Sequence, residues 1–313
     1  MGPVVAEAQP DMQRQMVKYL KADEDHGVKS SLLYECLDTI ASPMAMVAQT
    51  QALPEKFIAP FTLGAPKDAD ASQVIIAADM SVSKGVLRIK GETFSFNKQI
   101  DAALKNAAKN YRPIKGKYVS SMPDDAMAGI FMNVDGNKFL PMMQSNKGIQ
   151  QLLLGINAAI DMDNIIRSVN GDMAIVMPSF SDSNLKMTMA AQVAHTKWLG
   201  DVDYWKQSCP QGSRIADWGH QAFSYTDGKT SFYFGVTDDK QFYSGSDEIL
   251  ASYSIKESNH PISSDIRKEV VGQKLAMVIN FTKSGAGNDA VAAVTSLLTP
   301  IFGNLTSIVY TLK

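Results

Sequence analysis

The alternation of hydrophobic and polar residues changes several times along the chain, and each change marks a predicted element. Residues 11–22 place Met12, Met16 and Leu20 at helical spacing, and residues 29–40 repeat the helical pattern. The segment "PMAMVAQT" predicts a short strand. After it, "SQVIIAADMSV" and "GVLRIKGETFSF" predict a β-hairpin, and the alanine-rich "NKQIDAALKNAAKNY" predicts a helix. The first unit is therefore expected to run strand, helix or loop, strand, strand, helix.

This order of elements recurs further along the chain. The segment "AMAGIFMNV" predicts a strand, residues 138–169 predict helices, "GDMAIVMPSF" and "LKMTMAAQVA" predict two strands, and "TKWLGDVDYWKQS" predicts a closing helix. A shorter third unit has the strand "KLAMVINFT", the helix "NDAVAAVTSLL" and the strand "LTSIVYTL". A period of about 80 to 100 residues is too long for a solenoid. We therefore predict an α+β fold of repeated strand-helix-strand-strand-helix modules, with antiparallel sheets packed against helices.

Extra strands are predicted between the second and third units, in "QAFSYTDGKTSFYFGVTDDKQFYSGS". Asp227-Gly228 is a strong signal for a two-residue hairpin turn, and Asp238-Asp239 marks a looser turn. These hairpins argue against a doubly wound parallel sheet. The predicted domains are residues 1–116, with N-terminal helices and the first module, and residues 117–313, with the second module. The second domain includes hairpins at 211–258 and an incomplete third module at 259–313.

The stretch "MPDDAMAGIFMNVDGNKF" at residues 122–139 raises the question of an acidic site. Pro123, Asp124 and Asp125 stand before a run that is small and apolar on both alternating faces. Such a run is typical of a central strand that is covered on both sides. We therefore predict that the acidic pair is the strand entry, and that Asp135-Gly136 turns the chain into a helix.

The composition excludes few functions. The chain has 313 residues, 45% of them hydrophobic and 20% charged, with a net charge of -2. This is ordinary globular composition, and it gives no electrostatic footprint for nucleic acid. Pairing of Cys36 with Cys209 is left open, and no Cys/His cluster predicts a zinc site. Residues 290–312 lack charge, but Pro300, Gly303 and Asn304 divide them, so a short helix and a buried strand are predicted instead of a membrane span.

Two acidic stretches are candidate sites. The stretch that begins at Asp161 resembles a calcium loop, but Ile166 and Asp172 occupy the positions where an EF-hand needs glycine and glutamate. A helix cap by Asp161 or Asp163 is the simpler interpretation.

A second candidate combines Asp201 and Asp203 with His195 for acid-base work. Carboxylates two residues apart point to different faces of a helix, and a first-turn acidic cluster explains them equally well. The segment "KSGAGNDA" is interpreted as a turn with Asn288 or Asp289 as the helix cap. No GxSxG, HExxH or Cys-His motif occurs, and we predict no catalytic residue, metal site or cofactor.

The tryptophans provide the candidate ligand-binding residues. Trp198 and Trp205 are seven residues apart and share a helix face, so they form either a core pair or, if exposed, a sugar-stacking pair. Trp218 and His220 precede the predicted hairpins, where they either line a groove or pack ordinarily. The candidate ligand-binding set is therefore Trp218, His220 and Trp205.

Several ordered segments together resemble the Bacteroidales lipoprotein family of unknown function described as domain of unknown function 4836. They are "MAMVAQTQALPE", "VIIAADMSVSKGVLRIKGETFS", "YVSSMPDDAMAGIFMNVDGNKF", "IIRSVNGDMAIVM", "DVDYWKQS" and "FYFGVTDDKQFYSGSDE". The third is similar to a proline-led strand element, and the fourth to a helix followed by a strand that opens on Gly171-Asp172. The resemblance covers nearly the whole chain.

The resemblance implies an exported protein in the periplasm or on the outer-membrane surface, anchored by lipid in its full-length form. It also implies that this sequence is a fragment without the leader and first domain. The family supplies no established catalytic residues. We therefore expect a non-enzymatic extracytoplasmic binding or structural module, with a glycan or another envelope protein as partner. The alternative is a hydrolase that uses carboxylates with His195 or His220.

Overall fold

The computed structural model describes residues 14, 17, 21, 31–52, 65, 70–145, 159–181, 184–281, 299–300 and 302–312. The helices in these ranges are α1 Leu32–Asp38, α2 Lys98–Ala108, α3 Gly136–Ser145, α4 Met162–Ser168, α5 Val202–Ser208, α6 Glu248–Tyr253 and α7 Ser264–Val270. The strands are β1 Ala45–Gln49, β2 Ile75–Ser83, β3 Val86–Phe94, β4 Ala128–Asp135, β5 Val169–Ser181, β6 Asn184–Val193, β7 Arg214–Gly219, β8 Ala222–Thr226, β9 Ser231–Val236, β10 Gln241–Gly245, β11 Leu275–Asn280 and β12 Ser307–Leu312.

The twelve strands form one continuous sheet in the order β1-β2-β3-β12-β11-β4-β5-β6-β10-β9-β8-β7. Every neighbouring pair is antiparallel except β3 and β12, which are parallel. The predicted α+β class is confirmed, with one mostly antiparallel sheet.

The β2–β3 hairpin is confirmed, and its turn follows from the sequence. Ser83 pairs with Val86, so Lys84 and Gly85 alone form the turn. Both adopt positive φ, 52° and 76° respectively. This is the geometry of a two-residue turn whose twist matches that of the flanking strands, and glycine adopts it at little cost.

The acidic stretch that opens 122–139 is a strand entry, as predicted. Pro123 forms an isolated β-bridge with Pro261, and the amide of Asp124 donates to the His260 carbonyl at 2.8 Å. Strand β4 follows as the sixth of twelve strands, with most of its residues buried. Helix α3 begins at Gly136, directly after the strand.

The two faces of the sheet bury different layers because successive side chains of a strand point to opposite faces. We call the face that carries Met132 and Met173 the first face; it packs against α3, α4 and the segment around Trp198. The second face carries Phe131 and Ala174. It packs against two covering segments, residues 112–126 and 255–273, which contribute buried side chains such as those of Ile114, Tyr118, Val119, Met122, Ile262, Ile266 and Val270. Helix α6 lies on the same face at β10, because a Cβ built at Gly245, which pairs with Tyr233, would lie 2.3 Å from the Ala251 amide nitrogen.

The predicted boundary between residues 116 and 117 stays a prediction. Contacts join the two sides of this boundary: β3 pairs with β12 in the sheet, and outside the sheet the amide of Ile114 donates to the Gln273 carbonyl at 2.9 Å. Strands β1 to β3 are neighbours in the sheet, and so are β4 to β6.

Three local predictions differ from the structure. The turn at Asp227-Gly228 belongs to a four-residue loop, because Thr226 pairs with Ser231. The closing helix of the second unit is divided into a 3-10 turn, Lys197–Asp201, and α5. The segment "IADWG" was not predicted as a strand, but it forms most of β7 at one edge of the sheet.

The C-terminal region agrees with the prediction where the structure describes it. The terminal strand of residues 290–312 is confirmed as β12, whereas the helix predicted at 288–298 and the turn "KSGAGNDA" lie outside the described residues.

Cys36 and Cys209 are both free. In the part of the chain that the structure describes, no helix is long and apolar enough to cross a membrane.

Candidate functional site

Trp198 and Trp205 form a core pair on the first face of the sheet. Their rings are parallel within 5°, with centroids 6.3 Å apart, and Trp198 also contacts Phe234 and Phe242. The relative exposure of Trp205 is 5% and that of Trp198 is 0%. Of the two alternatives for this pair, the structure shows core packing. Trp205 is therefore left out of the candidate ligand site, because a ligand on the surface does not reach a buried indole.

Trp218 lies at the opposite face, where it meets two tyrosines. Its ring is perpendicular to that of Tyr233, at 88° and 5.4 Å between centroids, and nearly so to that of Tyr243, at 78° and 6.4 Å. We call Trp218, Tyr233 and Tyr243 the aromatic patch. All three side chains are only partly buried. Edge-to-face packing of this kind holds aromatic rings in fixed orientations.

The aromatic patch belongs to the second face of the sheet. Tyr243 pairs with Ala190, and Ala190 with Ala174, which belongs to the buried core of that face. Burial raises the pKa of the Tyr243 hydroxyl. The buried Nε1 of Trp218 has no hydrogen-bond partner among the described residues.

Gly235 makes room for the ring of Tyr243. It pairs with Tyr243 across β9 and β10, and a Cβ built at Gly235 would lie 2.6 Å from the Tyr243 hydroxyl oxygen and 3.0 Å from the Gln221 carbonyl oxygen. The side chain of Tyr243 therefore lies across β9, in the direction of Trp218. A glycine inside a strand often marks such a close approach.

Polar groups surround one end of this surface, at the β7–β8 and β9–β10 turns. His220 Nε2 lies 3.3 Å from Asp238 Oδ1, and Gln221 Nε2 lies 3.4 Å from the same oxygen. We call His220, Gln221 and Asp238 the polar rim. The side chains of His220 and Asp238 are 77% and 82% exposed, so both are accessible to a ligand. The next residue, Asp239, has a lowered pKa because the Thr237 hydroxyl donates to its carboxylate.

The proposed acid-base group of His195, Asp201 and Asp203 is not joined by contacts. His195 Nδ1 accepts from the Lys197 amide at 3.5 Å. Asp201 accepts from the side-chain amide of Asn164 at 3.2 Å, and Asp203 forms an ion pair with Lys206 at 3.5 Å. Within residues 184–281, all of which are described, no hydrogen bond or ion pair links His195 to either carboxylate.

Of the two residues that were predicted as a possible helix cap, Asp161 has this role. Asp161 is the N-cap of α4, where its side chain accepts from the Asn164 amide at 2.9 Å. Among the described residues, no three His, Cys, Asp or Glu side chains are grouped so that they could hold a metal ion.

The buried carboxylate of Asp172 is a structural centre that the sequence pattern does not predict, although Gly171-Asp172 opens a predicted strand. Asp172 is 2% exposed, and it accepts from the Lys115 amide at 2.9 Å, the Lys117 amide at 2.8 Å and Asn133 Nδ2 at 2.8 Å. These bonds fix the residues before Tyr118 onto β4 and β5. The available signal was the glycine-aspartate pair that opens an apolar strand.

The glycine of this pair has its own physical reason. Gly171 adopts φ 149°, and a Cβ there would lie 2.7 Å from Gln192 Oε1. Because Gln192 Oε1 also accepts from the Asp172 amide at 3.1 Å, the side chain of Gln192 is not free to move away. Gly171-Asp172 is thus an architectural motif.

Comparison with known proteins identifies the family. The model of the family described as Domain of unknown function (DUF4836) matches residues 9–269, well over half of the chain, and the chain belongs to this family. No curated protein matches the sequence. Among solved structures, crystal form IV of TP0453 is similar over 56% of this chain and 67% of that chain, at 10% identity and a TM-score of 0.34. A likeness this distant carries no argument about this chain.

Proposed function

We propose that this chain is a non-enzymatic binding module of an exported lipoprotein, and that the aromatic patch binds a glycan. The observation that carries the proposal is the grouping of Trp218, Tyr233 and Tyr243 on one face of the sheet, each with part of its side chain accessible. Binding sites for small molecules typically combine aromatic surface with a few directed polar groups.

The chemistry of the surface suits a sugar. The apolar faces of a sugar ring carry C–H groups, which pack on aromatic rings, while its hydroxyls need donors and acceptors at the edge. The polar rim supplies both: Asp238 accepts, Gln221 donates and accepts, and His220 does either according to its tautomer. Mutual packing fixes the rings before binding, which reduces the entropy lost when a ligand is ordered.

The exported location is part of the same proposal and is supported by the family resemblance. We propose that the full-length protein is a lipid-anchored protein of a Bacteroidales species, located in the periplasm or on the outer-membrane surface. Fractionation of the native host, followed by detection with an antibody, tests this location. Recovery of the protein only in the cytosolic fraction would contradict it.

A glycan array followed by isothermal titration calorimetry tests the ligand. We expect Trp218→Ala and Tyr243→Ala each to weaken binding about tenfold or more, because truncation of a central aromatic side chain at an interface commonly costs about 2 kcal/mol. Tyr204→Ala is the matched control: Tyr204 is 70% exposed on α5, away from the patch. Equal affinity of the Trp218→Ala and Tyr204→Ala proteins for a glycan would exclude the patch as the site.

A hydrolase that depends on a carboxylate and a histidine is the second candidate function. It is favoured by one contact, the 3.3 Å approach of His220 Nε2 to Asp238 Oδ1. The test is hydrolysis of the glycans that bind, compared between wild type and His220→Ala. Turnover that is lost in His220→Ala while binding is retained would favour the hydrolase over the binding module.

Structural interaction with an envelope protein is a further form of the same non-enzymatic role. In the described structure β1 and β7 are the end strands of the sheet, so each pairs with one neighbour. An end strand offers unpaired backbone groups to a partner strand. Crosslinking in intact cells from a site on β7 tests this role, and the absence of any crosslinked partner would contradict it.

A further inference from the structure

A small pocket opens on the second face, at the opposite end of the sheet from the aromatic patch. It lies where β3 and β12 meet helix α7 and has a volume of about 110 Å³. Its lining residues are Arg88, Lys90, Lys268, Glu269, Gln273, Val309 and Thr311. Three of these side chains are cationic and one is anionic, so the lining has an excess of positive charge.

The parallel pairing of β3 with β12 creates this arrangement. Val309 lies opposite Arg88, and Thr311 opposite Lys90, so all four side chains share one face of the sheet. Lys268 and Glu269 come from the last turn of α7. The pocket therefore combines residues that are far apart in sequence.

Hydrogen bonds hold the guanidinium group of Arg88 in place but do not use all of its N–H donors. Its side chain is 18% exposed, its Nε donates to Glu269 Oε1 at 2.6 Å, and its Nη1 donates to the Ser83 and Val86 carbonyls at 3.3 Å and 3.4 Å. These bonds leave the two N–H groups of Nη2 without an acceptor among the described residues. A fixed guanidinium with spare donors is suited to an oxyanion, because its planar fork matches carboxylate and phosphate oxygens.

The side chain of Thr311 gives a second reason, independent of Arg88, to expect an anion in the pocket. Its relative exposure is 3%, and its buried hydroxyl has no hydrogen-bond partner. Most buried polar side-chain atoms are hydrogen-bonded, and one that is not costs free energy. Because Thr311 also lines the pocket, an oxyanion bound there would accept from this hydroxyl.

The other charges around the pocket leave it suited to an anion. Lys90 and Lys268 are both exposed at its mouth. Asp79 lies opposite Lys90 in the β2–β3 ladder and shares its face, so it offsets part of the charge of Lys90. Glu269 offsets part of the charge of Arg88 through their ion pair, and Glu92, two positions along β3 from Lys90, is a further exposed carboxylate outside the lining. The lining itself has three cationic side chains against one anionic side chain, and this favours an anion.

We propose that this pocket binds a phosphate group, either as inorganic phosphate or as the phosphate of a monoester. Arg88 and Thr311 donate to the oxygens inside the pocket, and Lys90 and Lys268 supply charge at its mouth. This proposal is independent of the glycan proposal, since the two surfaces share no residue.

The test is calorimetric titration of the full chain with sodium phosphate and, separately, with glycerol 3-phosphate, at constant ionic strength. We expect saturable 1:1 binding. Lys90→Gln and Lys268→Gln should each weaken it about two- to fivefold, as expected for exposed charge pairs. Thr311→Val should weaken it about tenfold or more, as expected for a hydrogen bond to a charged group. Lys229→Gln, at the exposed tip of the β8–β9 loop, is the matched charge control and should bind as wild type does.

Thr311→Val separates a binding role from a structural one. Its hydroxyl has no partner, so the unliganded variant should unfold at the same urea concentration as wild type or at a higher one. Saturation by glycerol 3-phosphate alone would assign the site to esters, and saturation by both ligands would include the free ion; either supports the proposal. Absence of saturable binding at millimolar concentrations, or wild-type affinity in Thr311→Val, would overturn it.

Discussion

The buried carboxylate of Asp172 offers a direct test of how the second face is held together. Asp172→Asn preserves the size of the side chain but replaces one oxygen by an amide that cannot accept a hydrogen bond. If the remaining oxygen keeps the Lys115 amide and Asn133 Nδ2, the new amide faces the Lys117 amide, donor against donor. In the flipped orientation two donors lose their acceptor instead.

The expected cost follows from the number of bonds that are lost. A hydrogen bond to a charged group contributes about 1.5–3 kcal/mol, and a buried donor without a partner adds a desolvation penalty. Asp172→Asn should therefore lower the free energy of unfolding by about 2–4 kcal/mol. Asp172→Ala removes the acceptor of all three donors and should cost about 4–6 kcal/mol, which is large against a total stability of about 5–15 kcal/mol.

Urea denaturation followed by tryptophan fluorescence measures both variants. Asp227→Ala is the matched control, because Asp227 Oδ1 also accepts from two backbone amides, those of Lys229 at 2.9 Å and Thr230 at 2.6 Å. Asp227 is exposed, so water replaces the lost acceptor and we expect a cost below about 1 kcal/mol. Hydrogen exchange at the amides of Lys115 and Lys117 should become faster in Asp172→Asn and stay unchanged in the control.

Two results would contradict this role of the buried carboxylate. Asp172→Asn with the stability of wild type, or Asp172→Ala and Asp227→Ala with equal losses, would show that these three bonds do not hold the covering segment. Faster exchange at Lys115 and Lys117 without a loss of stability would show that the segment opens locally, separately from the sheet.

Two further predictions concern the helices. Gly136→Ala should abolish stable folding or cost several kcal/mol by urea denaturation, because its Cβ would lie 1.8 Å from the Ile166 carbonyl oxygen; a wild-type midpoint would contradict this packing. The pKa of Asp101 is lowered chiefly by its hydrogen bond to Lys105, so its contribution to stability is present above its unfolded pKa and is lost as the pH falls through its folded pKa. Urea midpoints should therefore show Asp101→Asn less stable than wild type at neutral pH but equal to it in strong acid, and a difference that persists in acid would contradict the assignment.

Much of the fold was predictable because hydrophobic alternation and turn chemistry are local. The β2–β3 hairpin follows from the alternation on both sides of Lys84-Gly85, and the N-cap of α4 follows from Asp161 before an apolar helical run. The prediction missed β7 because Asp217, Gly219 and His220 interrupt the apolar pattern there. β7 is an end strand with an irregular register between Asp217 and Gly219, and such strands keep a weak signal.

The candidate site was only partly predictable, for reasons of long-range packing. Trp218 and His220 were proposed as groove residues, whereas Tyr233 and Tyr243 were assigned only to strands. An aromatic residue in a strand has the same local pattern on a covered face and on an open one. Which part of the second face is covered depends on residues 112–126 and 255–273, and their position depends on contacts such as those of Asp172.

The phosphate pocket illustrates the same limit. The segment "GVLRIKGETFSF" predicts one strand of a β-hairpin, and it forms β3, in which Arg88 and Lys90 alternate with apolar residues. Nothing local to β3 indicates that Thr311 would lie beside Lys90, because parallel pairing joins segments more than 200 residues apart. The charged positions that alternation assigns to solvent are in this case the lining of a pocket.

Both proposed sites have a common origin in the way the second face is covered. The covering segments bury the middle of the sheet, from β12 and β11 to β5 and β6, and α6 extends the cover to β10 at Gly245. Beyond these elements the strands carry polar or aromatic side chains. At one border α7 closes the pocket against Arg88; beyond the other the aromatic patch stays accessible around Trp218. In the pocket a ligand would contact both layers, because α7 lines it together with β3 and β12. The aromatic patch is built from the strands of the sheet alone. Asp172 holds the segment 112–126 through the Lys115 and Lys117 amides. Its replacement is therefore expected to change the position of the covering layer near both sites, although Asp172 contacts neither ligand.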